Sequence, residues 1–414
     1  MSLVSQIASL ATRIATEVNS LRSELAAVVA GATVSDTAPV SPSEGDQWFD
    51  SVSGTMFVYY DSYWIEVGTQ GAVGETGPTG ATGATGAAGS DGALSPNYII
   101  NGGFDVNQRA LTSTTTSGSF GFDRWSFLGT DGTVTYSAQT FSLGAYADVN
   151  YEATNFARIV TSGQTANNAR ADLRQPVEDV KSLAGQEVTV SFWAKAASGS
   201  PKIALEVSQN FGAGGSSFNP KYFGQATLST GWQRFAFTAT LDSLSGKTIG
   251  VRPSLIVDLW VSAGSNNDAR TGSLGIQSNT FDIWGVQLEA GDTATSFKRN
   301  SSNLQGELAA CQRYYIRFGS SAAYDSVCIA NGLTTTTMRS QIPLPSEMRA
   351  APTLSTSGAF HTATGNISVT PSLATGNSKL SSVTWTGTGV TAYSGYYIRN
   401  NNNAAAYFDF SAEL

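Results

Sequence analysis

The sequence is poor in the residues that enzymes most often use for catalysis and for binding metals. Its 414 residues include one histidine, His361, and two cysteines, Cys311 and Cys328. His361 is therefore the only histidine that a Ser-His-Asp triad could use, and Cys/His metal spacings are absent. The two cysteines could pair, but in a protein made in a reducing cytosol we expect two buried free thiols. The sequence predicts no cofactor.

Charge is also scarce. Only 13% of the residues are charged, and the formal net charge is −8. Without clustered Lys and Arg the chain lacks the means to release counterions from a nucleic acid, so nucleic-acid and anionic-membrane partners are disfavoured. No apolar run approaches the ~20 residues of a membrane helix. The first residues also lack a basic region followed by an apolar core, which is the pattern of a secretory signal. We therefore expect neither membrane insertion nor a secretory signal.

Glycine, in contrast, is abundant and in one segment is strictly periodic. Eight glycines recur at every third residue, which is the pattern of a collagen-type triple helix, where only glycine fits at the crowded axis. A disordered spacer is the alternative. Proline is rare in these triplets, so the segment is poorly preorganised and needs other parts of the chain to hold three strands together. The glycines are Gly71, Gly74, Gly77, Gly80, Gly83, Gly86, Gly89 and Gly92.

The first thirty residues supply such a part. Their apolar residues follow a heptad seam with one four-residue insertion between Ile14 and Val18, a stutter that locally unwinds a supercoil. Isoleucine in the seam is compatible with three strands. The alternative is a single amphipathic helix packed on its own chain. The seam that we assign to the trimer consists of Ile7, Leu10, Ile14, Val18, Leu21 and Leu25.

Three further regions are predicted to be β structure. Residues 45–70 contain seven aromatic residues in three groups separated by turn signals at 51–54 and 61–62, which predicts a three-stranded meander. An aromatic face for sugars is the alternative there. Residues 95–305 carry eight strand patterns and no helix of appreciable length, which predicts a jelly-roll-type sandwich. Val188, Val190, Phe192 and Ala194 alternate with polar residues, as on a strand with one buried face. Four tryptophans of this region, Trp125, Trp193, Trp260 and Trp284, are expected in its core.

The fold class is therefore mainly β, with an N-terminal trimeric coiled coil, a collagen-like triple helix, a jelly-roll-type β-sandwich and a smaller distal β domain. The predicted domains are a coiled coil, a linker, the aromatic meander, the collagen-like shaft, the sandwich and the distal tip. Their ranges are 1–30, 31–44, 45–70, 71–94, 95–305 and 306–414.

The distal region holds our candidate for a glycan site. Aromatic rings with neighbouring amides suit sugars, which have apolar ring faces and polar edges. Core packing is the alternative for the tryptophan and for at least one of two adjacent tyrosines, because neighbouring strand residues face opposite sides. The candidates are Trp385, Tyr393, Tyr396, Tyr397 and Asn400, which lies in the run 400–403.

Several sequence strings together resemble the tail fibres of bacteriophages. NYIINGGFDVNQRA at 97–110, FDRW at 122–125, GWQRF at 231–235 and WGVQLEAGDTATSFKR at 284–299 resemble a carbohydrate-binding-module-type sandwich of such fibres. LAACQRYYIRF at 308–318 and LPSEMRAAPTLSTSG at 344–358 are similar to their distal domains. The aromatic module at 45–69 and Gly-X-Thr stretches also occur in them. The order of these motifs matches that of the family.

The resemblance implies a homotrimeric fibre on the virion that is made in the host cytoplasm. It implies partners at both ends, a tail, baseplate or adaptor protein at the N-terminal region and a host glycan or lipopolysaccharide at the distal end. Related sandwiches often hold calcium through acidic residues. Here Asp105 is in place, but Trp284 and Gly285 occupy the position of the second carboxylate, so no metal is predicted.

Two other functions stay open from the sequence. The first is a tailspike that cleaves polysaccharide, for which Asp123 and Glu289 would be a conceivable carboxylate pair. The second is a collagen-like virion decoration with a purely structural role. We expect a non-enzymatic receptor-binding fibre, in which three copies of a weak glycan site give durable adsorption through avidity.

Overall fold

The computed structural model describes residues 8–20, 31–67, 97–142, 144, 146–319, 322–403 and 405–414. They fall into two compact units that divide between Ala87 and Ala88. The glycines from Gly71 to Gly92 lie outside the described residues, as do Ile7, Leu21 and Leu25 of the predicted seam. The collagen-like shaft and the coiled coil therefore stay predictions.

In the first unit, residues 8–20 form helix α1. Three members of the predicted seam, Leu10, Ile14 and Val18, lie on this helix, and all three are exposed in the single chain. They are spaced by four residues, so they share one face of the helix. The described part of α1 thus presents an apolar stripe that no described residue of the same chain covers.

The first unit also contains a four-stranded sheet in the order β1-β2-β3-β4. The strands are β1 (Ala32–Ser35), β2 (Gln47–Asp50), β3 (Thr55–Tyr60) and β4 (Tyr63–Glu66). β2 to β4 are the three predicted strands, joined by turns at the predicted positions. β1 pairs with β2 in parallel and was not predicted, because it lies in the stretch that we read as a linker.

One face of this small sheet is held together by aromatic rings. Trp48 stacks on Phe57 with 4.9 Å between ring centroids, and Trp64 meets the edges of both Trp48 and Tyr59. The indole Nε1 of Trp48 donates a hydrogen bond of 3.2 Å to the carbonyl oxygen of Ser35. These four rings pack mainly against one another, as expected for core residues.

The second unit begins with a β-sandwich of one six-stranded and one five-stranded sheet. The six-stranded sheet has the order β13-β10-β15-β8-β7-β5, and the five-stranded sheet has the order β12-β11-β14-β9-β6. The strands are β5 (Ser113–Thr114), β6 (Ser126–Thr130), β7 (Thr133–Thr140), β8 (Asn155–Ser162), β9 (Arg170–Val177), β10 (Glu187–Ala196), β11 (Lys202–Asn210), β12 (Asn219–Thr227), β13 (Gln233–Thr240), β14 (Ser254–Ala263) and β15 (Thr280–Ala290). Two short helices are inserted, α2 (Tyr146–Val149) and α3 (Asp268–Thr271).

The sandwich core lies between the two sheets and is lined by alternate residues of each strand. Val188, Val190, Phe192 and Ala194 of β10 are all buried in it, as predicted from their alternation. The opposite side of β10 is not simply exposed, because Thr189 and its neighbours are covered by the segment that follows β15. Of the four tryptophans expected in the core, Trp125 and Trp284 are buried in it and Trp193 is half-buried against it. Trp260 is also buried, but in a separate small cluster on the outward face of the five-stranded sheet.

The prediction of a mainly β fold is confirmed, and each of the eight strand patterns contains a strand. Two long strands, β9 and β12, were missed. β9 has the sequence RADLRQPV, in which charged residues and a proline obscure the strand pattern. β12 contains a proline and a glycine. Both strands belong to the five-stranded sheet, whose outward face is described below.

The remaining elements form a closed barrel and a small sheet. α4 (Leu304–Gln312) leads into a three-stranded sheet in the order β16-β24-β19, and the barrel has the order β17-β18-β22-β21-β20-β23. The strands are β16 (Tyr315–Gly319), β17 (Ser326–Gly332), β18 (Thr337–Pro343), β19 (Thr353–Ser357), β20 (Phe360–Thr362), β21 (Ser368–Gly376), β22 (Leu380–Thr386), β23 (Gly395–Asn400) and β24 (Tyr407–Ser411).

The sandwich and the barrel are joined through buried polar contacts within the second unit. Arg124 of the sandwich is almost fully buried, and it forms an ion pair with Glu413, which follows β24. Arg109 binds the same carboxylate at 3.1 Å. Residues 412–414 therefore lie against the sandwich, while the loops between β17 and β18 and between β22 and β23 meet at the other end of the barrel.

Candidate functional site

Trp385, predicted at the distal glycan site, is a core residue of the barrel. Its side chain is fully buried, with ring centroids 5.5 Å from Phe360 and 5.7 Å from Phe408. The indole Nε1 donates a hydrogen bond of 3.0 Å to Oγ of Ser340. With both ring faces packed and its polar atom bonded, Trp385 offers no surface to a sugar. The alternative of core packing holds for this residue.

Two more of the predicted residues are buried as well. The hydroxyl of Tyr396 accepts a hydrogen bond of 2.7 Å from the backbone N–H of Thr391. Asn400 is fully buried, and its Nδ2 donates a hydrogen bond of 2.7 Å to the carbonyl oxygen of Ala322. Because adjacent strand residues face opposite sides, the inward Tyr396 leaves Tyr397 on the outer wall. Tyr396 and Asn400 shape the barrel and do not present a ligand surface.

Tyr393 and Tyr397 are exposed, but at different places. Tyr393 is 95% exposed and lies in the loop between β22 and β23, where its N–H donates to the carbonyl oxygen of Gly332. Its φ of 63° is in the left-handed region, and Leu333 on the neighbouring loop is also exposed. Tyr397 lies on the barrel wall opposite Ile329 of β17. These two tyrosines remain available for recognition.

A second surface, which the sequence did not predict, lies on the outward face of the five-stranded sheet. One register line crosses all five strands and carries Tyr222, Glu206, Asp258, Arg174 and Ser126. Strands in a sheet lie about 4.8 Å apart, so this line is about 19 Å long. We define the arginine face by the line's charged residues and their neighbours, which are Arg170, Asp172, Arg174, Glu206, Asp258, Trp260 and Arg270.

Ion pairs connect the arginine face from strand to strand. Nε of Arg174 donates a hydrogen bond of 2.7 Å to Oδ1 of Asp258 and lies 3.4 Å from Oδ2 of Asp172. Nε of Arg170 donates to Oδ1 of Asp172, and its Nη2 lies 3.6 Å from Asp258. Each of the two aspartates thus touches both arginines. The four side chains form one network across β9 and β14.

Helix α3 adds the third arginine. Arg270 binds Glu206 through two hydrogen bonds, from Nε at 2.9 Å and from Nη2 at 2.8 Å. This bidentate geometry is the strongest form of an Arg–carboxylate pair. Ser208 donates a further hydrogen bond to Glu206, and Gln225 holds α3 by donating 2.7 Å to the carbonyl oxygen of Thr271. The position of Arg270 is therefore fixed from both sides.

Trp260 lies beneath the guanidinium groups. The Cζ atoms of Arg170 and Arg270 are 4.3 Å and 4.9 Å from its ring centroid, and its side chain is fully buried. Four buried polar atoms of the arginine face have no hydrogen-bond partner among the described residues. They are Nη2 of Arg170, Oδ2 of Asp172, Oδ2 of Asp258 and Nε1 of Trp260. Such unpaired buried groups are uncommon in folded proteins.

The charge of Asp258 is strongly perturbed. Burial disfavours its ionised form and raises the pKa of its carboxyl to about 8. The carboxylates of Asp172 and Glu206 raise this pKa further, and Arg174 and Arg170 oppose the shift. Asp258 and Glu206 are register partners on neighbouring strands, where two like charges repel. At neutral pH Asp258 is therefore mainly protonated, and its hydroxyl can donate a hydrogen bond.

Two aromatic residues stand at the edge of the arginine face. Phe218 and Tyr222 are both exposed, and Cζ of Arg270 lies 5.4 Å from the ring centroid of Phe218. Tyr222 packs beside Gly272, whose φ of 62° ends helix α3 in the left-handed region. The face thus combines charged groups in its centre with partly apolar rings at one side.

The other acidic residues considered from the sequence are engaged in structure. Asp105 forms an ion pair of 2.7 Å with Arg299. Asp123 is buried and bonded to Gln108 and Arg109, and Glu289 accepts from the backbone N–H of Thr295 at 3.1 Å. In the part of the chain that the structure describes, no group of three or more His, Cys, Asp or Glu side chains is placed to hold a metal.

The remaining sequence expectations concern thiols and membranes. Both cysteines are free, Cys311 buried and Cys328 half-buried, and burial raises the pKa of each thiol. Among the helices described, none is long and apolar enough to cross a membrane.

A signal for the arginine face is present in the sequence in retrospect. Arg170, Asp172 and Arg174 alternate with Ala171 and Leu173, which is a two-residue period of charged and apolar side chains. That period indicates a strand whose outward side is charged. The partners Glu206, Asp258 and Arg270 are distant in sequence, so only the pairing of strands brings them together.

Comparisons with known proteins give distant structural likenesses. No family model and no curated protein matches the sequence. The CBM22-2 xylan-binding domain of Xyn10C from Paenibacillus barcinonensis is 15% identical, covers 44% of this chain and all of its own, and gives a TM-score of 0.29. The family 11 carbohydrate-binding module of Lic26A-Cel5E from Clostridium thermocellum is 12% identical, covers 45% of this chain and 98% of its own, and scores 0.27.

A third likeness is to the enzymatically active domain of tailspike protein 4 of bacteriophage CBA120. It is 12% identical over 47% of this chain and 21% of that one, with a TM-score of 0.28. This chain therefore spans about a fifth of the tailspike chain's length. At identities of 12–15% and TM-scores of 0.27–0.29, these likenesses assign this chain neither a ligand nor an activity.

Proposed function

We propose that the protein is a homotrimeric bacteriophage tail fibre that recognises a glycan on the host surface and does not cleave it. In this proposal the N-terminal region attaches to the virion tail, directly or through an adaptor protein. The tail-fibre assignment rests on the ordered sequence motifs and on the glycine period. Glycan recognition rests on one observation, the arginine face.

The arginine face has the chemistry that binding a sugar requires. A sugar presents hydroxyl groups that both donate and accept hydrogen bonds, so its site needs a few fixed polar groups together with apolar surface. Arg170, Arg174 and Arg270 are held in place by carboxylates and supply donors at fixed positions. Phe218 and Tyr222 supply the apolar surface at the edge. A site built on paired strands is rigid, and that rigidity lowers the entropy cost of binding.

Three copies of the site in one trimer would strengthen attachment. Each copy can bind weakly, because linked sites raise the effective concentration of the second and third contacts. Exposed Tyr393 on the loops at the free end of the barrel would add a further contact with the host surface. The proposal thus assigns the sandwich to glycan binding and the barrel loops to a supporting contact.

The test combines a binding assay with an adsorption assay. Purified protein is added to host cells before infection, and the fraction of adsorbed phage is measured beside binding to immobilised surface glycans. The proposal predicts that the protein blocks adsorption and binds the glycans. Arg270→Gln weakens both effects, while Arg158→Gln, which removes a carboxylate-paired arginine from the other sheet, leaves both unchanged. Failure to block adsorption would support the purely structural alternative.

One observation favours a second function, cleavage of a polysaccharide. Asp258 has a pKa raised to about 8, so it can donate a proton at neutral pH, and Asp172 and Glu206 lie in the same network. A glycosidase needs such a proton donor beside a second carboxylate. All three carboxyl groups are buried, however, which favours binding over catalysis. Reducing ends released from host polysaccharide, and their loss in Asp258→Asn, would establish the enzymatic function instead.

A further inference from the structure

A ligand that approaches the arginine face meets arginines and not carboxylates. The side chains of Arg170, Arg174 and Arg270 are 17%, 19% and 22% exposed, whereas the carboxylates that they bind are fully buried. A guanidinium has five N–H donors and no acceptor. The partly exposed side chains at the centre of the face are therefore arginines, whose polar atoms are all hydrogen-bond donors.

Part of this donor capacity is unused within the chain. Each of the three arginines donates to its carboxylate through Nε, Arg270 also does so through Nη2, and Nη2 of Arg174 lies 2.7 Å from Oδ1 of Asp258. In none of the three does Nη1 make a hydrogen bond to the described residues. Nη1 lies on the side of the guanidinium away from Nε, so these free donors point away from the buried carboxylates.

The indole ring of Trp260, which lies beneath the arginines, is not accessible for stacking against a neutral sugar. Arg170 and Arg270 both pack on the ring of Trp260, and its side chain is fully buried. Its Nε1 has no partner among the described residues and is a further donor beneath the guanidinium groups. Stacking is thus confined to the edge of the face, while hydrogen-bond donors occupy its centre.

The charged groups of the face differ in exposure. It contains three guanidinium groups and three carboxyl groups, and only the arginine side chains are partly exposed. The positive ends of these pairs therefore lie nearer to the solvent than the carboxyl groups do.

We propose that the arginine face selects glycans that carry an anionic group, either a carboxylate or a phosphate, and holds that group through the free guanidinium N–H donors of Arg170, Arg174 and Arg270. Hydrogen bonds between a guanidinium and an anion are about twice as strong as those between neutral groups, and they form in pairs. This inference rests on the proposed glycan binding and names the class of glycan.

The experiment compares charged and neutral forms of the same sugars. Binding of the full-length protein is measured by calorimetry with an oligogalacturonate and its methyl ester, and with a phosphorylated oligomannose and its unphosphorylated form. We expect each acidic probe that binds to lose about tenfold in affinity when its charge is removed, the effect of one lost charge-assisted hydrogen bond. The carboxylate and phosphate probes show which anion is preferred.

The dependence on salt and the effects of variants show whether the anion binds at the arginine face. Raising the salt from about 50 mM to about 500 mM should weaken the acidic probes and leave the neutral ones unchanged, because only ionic contacts are screened. Arg270→Gln should lower affinity for the acid about tenfold but not for the ester. Arg158→Gln should change neither. Arg270→Lys keeps the charge and the ion pair with Glu206, so it tests the role of the planar group if Arg270→Gln fails to fold.

The outcomes separate this inference from the proposed function. Equal affinity for the acidic and neutral forms would overturn the anionic preference and leave glycan binding in place. An equal loss in Arg270→Gln and Arg158→Gln would place the anion away from the arginine face. If no probe binds and the protein also fails to block adsorption, both the inference and the proposed function are wrong.

Discussion

Cζ of Arg124 lies 3.5 Å from the centre of the Tyr314 ring, so a buried residue of the sandwich stacks on a residue that follows α4. The hydroxyl of Tyr314 donates a hydrogen bond of 2.8 Å to Glu178, which also binds Arg313 at 3.1 Å. This contact joins the sandwich to the segment that leads into the small sheet and the barrel. Glu413 completes it by pairing with the same arginine.

Glu413→Ala should destabilise the second unit strongly. It leaves the nearly fully buried guanidinium of Arg124 without its carboxylate, and breaking a buried pair costs about 3–5 kcal/mol. Urea unfolding followed by tryptophan fluorescence measures the loss. Glu347→Ala is the matched control, because its pair with Lys379 is exposed and is worth at most about 1 kcal/mol. Similar losses in both variants would contradict a special role for the Arg124 contact.

Asp258 should make stability depend on pH. Because its pKa rises from near 4 in the unfolded chain to about 8 in the fold, the folded state holds the proton more tightly. The stabilisation is complete below pH 4 and is lost as the pH rises through about 8. We expect the melting temperature to fall between pH 5 and pH 9 by several degrees. Asp258→Asn should show a smaller fall, and an identical fall would show that another group is responsible.

Trp385 and Tyr393 should respond in opposite ways to substitution. Trp385→Ala leaves a cavity in the barrel core and should cost about 3–5 kcal/mol of the free energy of unfolding. Tyr393→Ala removes an exposed ring and should change it by less than about 0.5 kcal/mol. If the free end of the barrel contacts the host, Tyr393→Ala will nevertheless weaken the block of phage adsorption. Unchanged blocking would exclude Tyr393 from recognition.

The apolar stripe on α1 should control assembly. Ile14→Asp places a charge in the predicted seam, so we expect the mass from light scattering to fall from about three times the chain mass toward a single chain. Thr16→Asp adds the same charge on the opposite side of the helix and should leave the mass unchanged. A wild-type mass of 43.2 kDa would refute the trimer directly.

The pattern of strands was predictable wherever apolar residues alternate. Val188, Val190, Phe192 and Ala194 show that alternation, and all four are buried in the sandwich core. β9 was missed because its outward residues are arginines and an aspartate, whose charges are paired with one another and with Asp258 on β14. The sequence contains no local trace of the pairing with Asp258, since Arg174 and Asp258 are 84 residues apart.

At the distal site, the sequence did not predict which side chains face the interior of the barrel. Aromatic residues near the end of the chain were predicted to form one recognition surface, yet Trp385 and Tyr396 face inward and Tyr393 faces outward. A closed barrel needs large rings in its interior, and sequence period alone does not say which side of a short strand is the interior. For Asn400, burial follows from its bonds to loop backbone that no local pattern indicates.

The contact of Glu413, which follows β24, with the sandwich has an evolutionary consequence. Because Glu413 and its neighbours help to lock the base of the barrel, the loops at the free end connect strands that are already fixed. Loops held in this way tolerate insertions and substitutions far better than the strands do. A lineage could therefore exchange the residues around Tyr393 to follow a changing host while the shared framework stays the same.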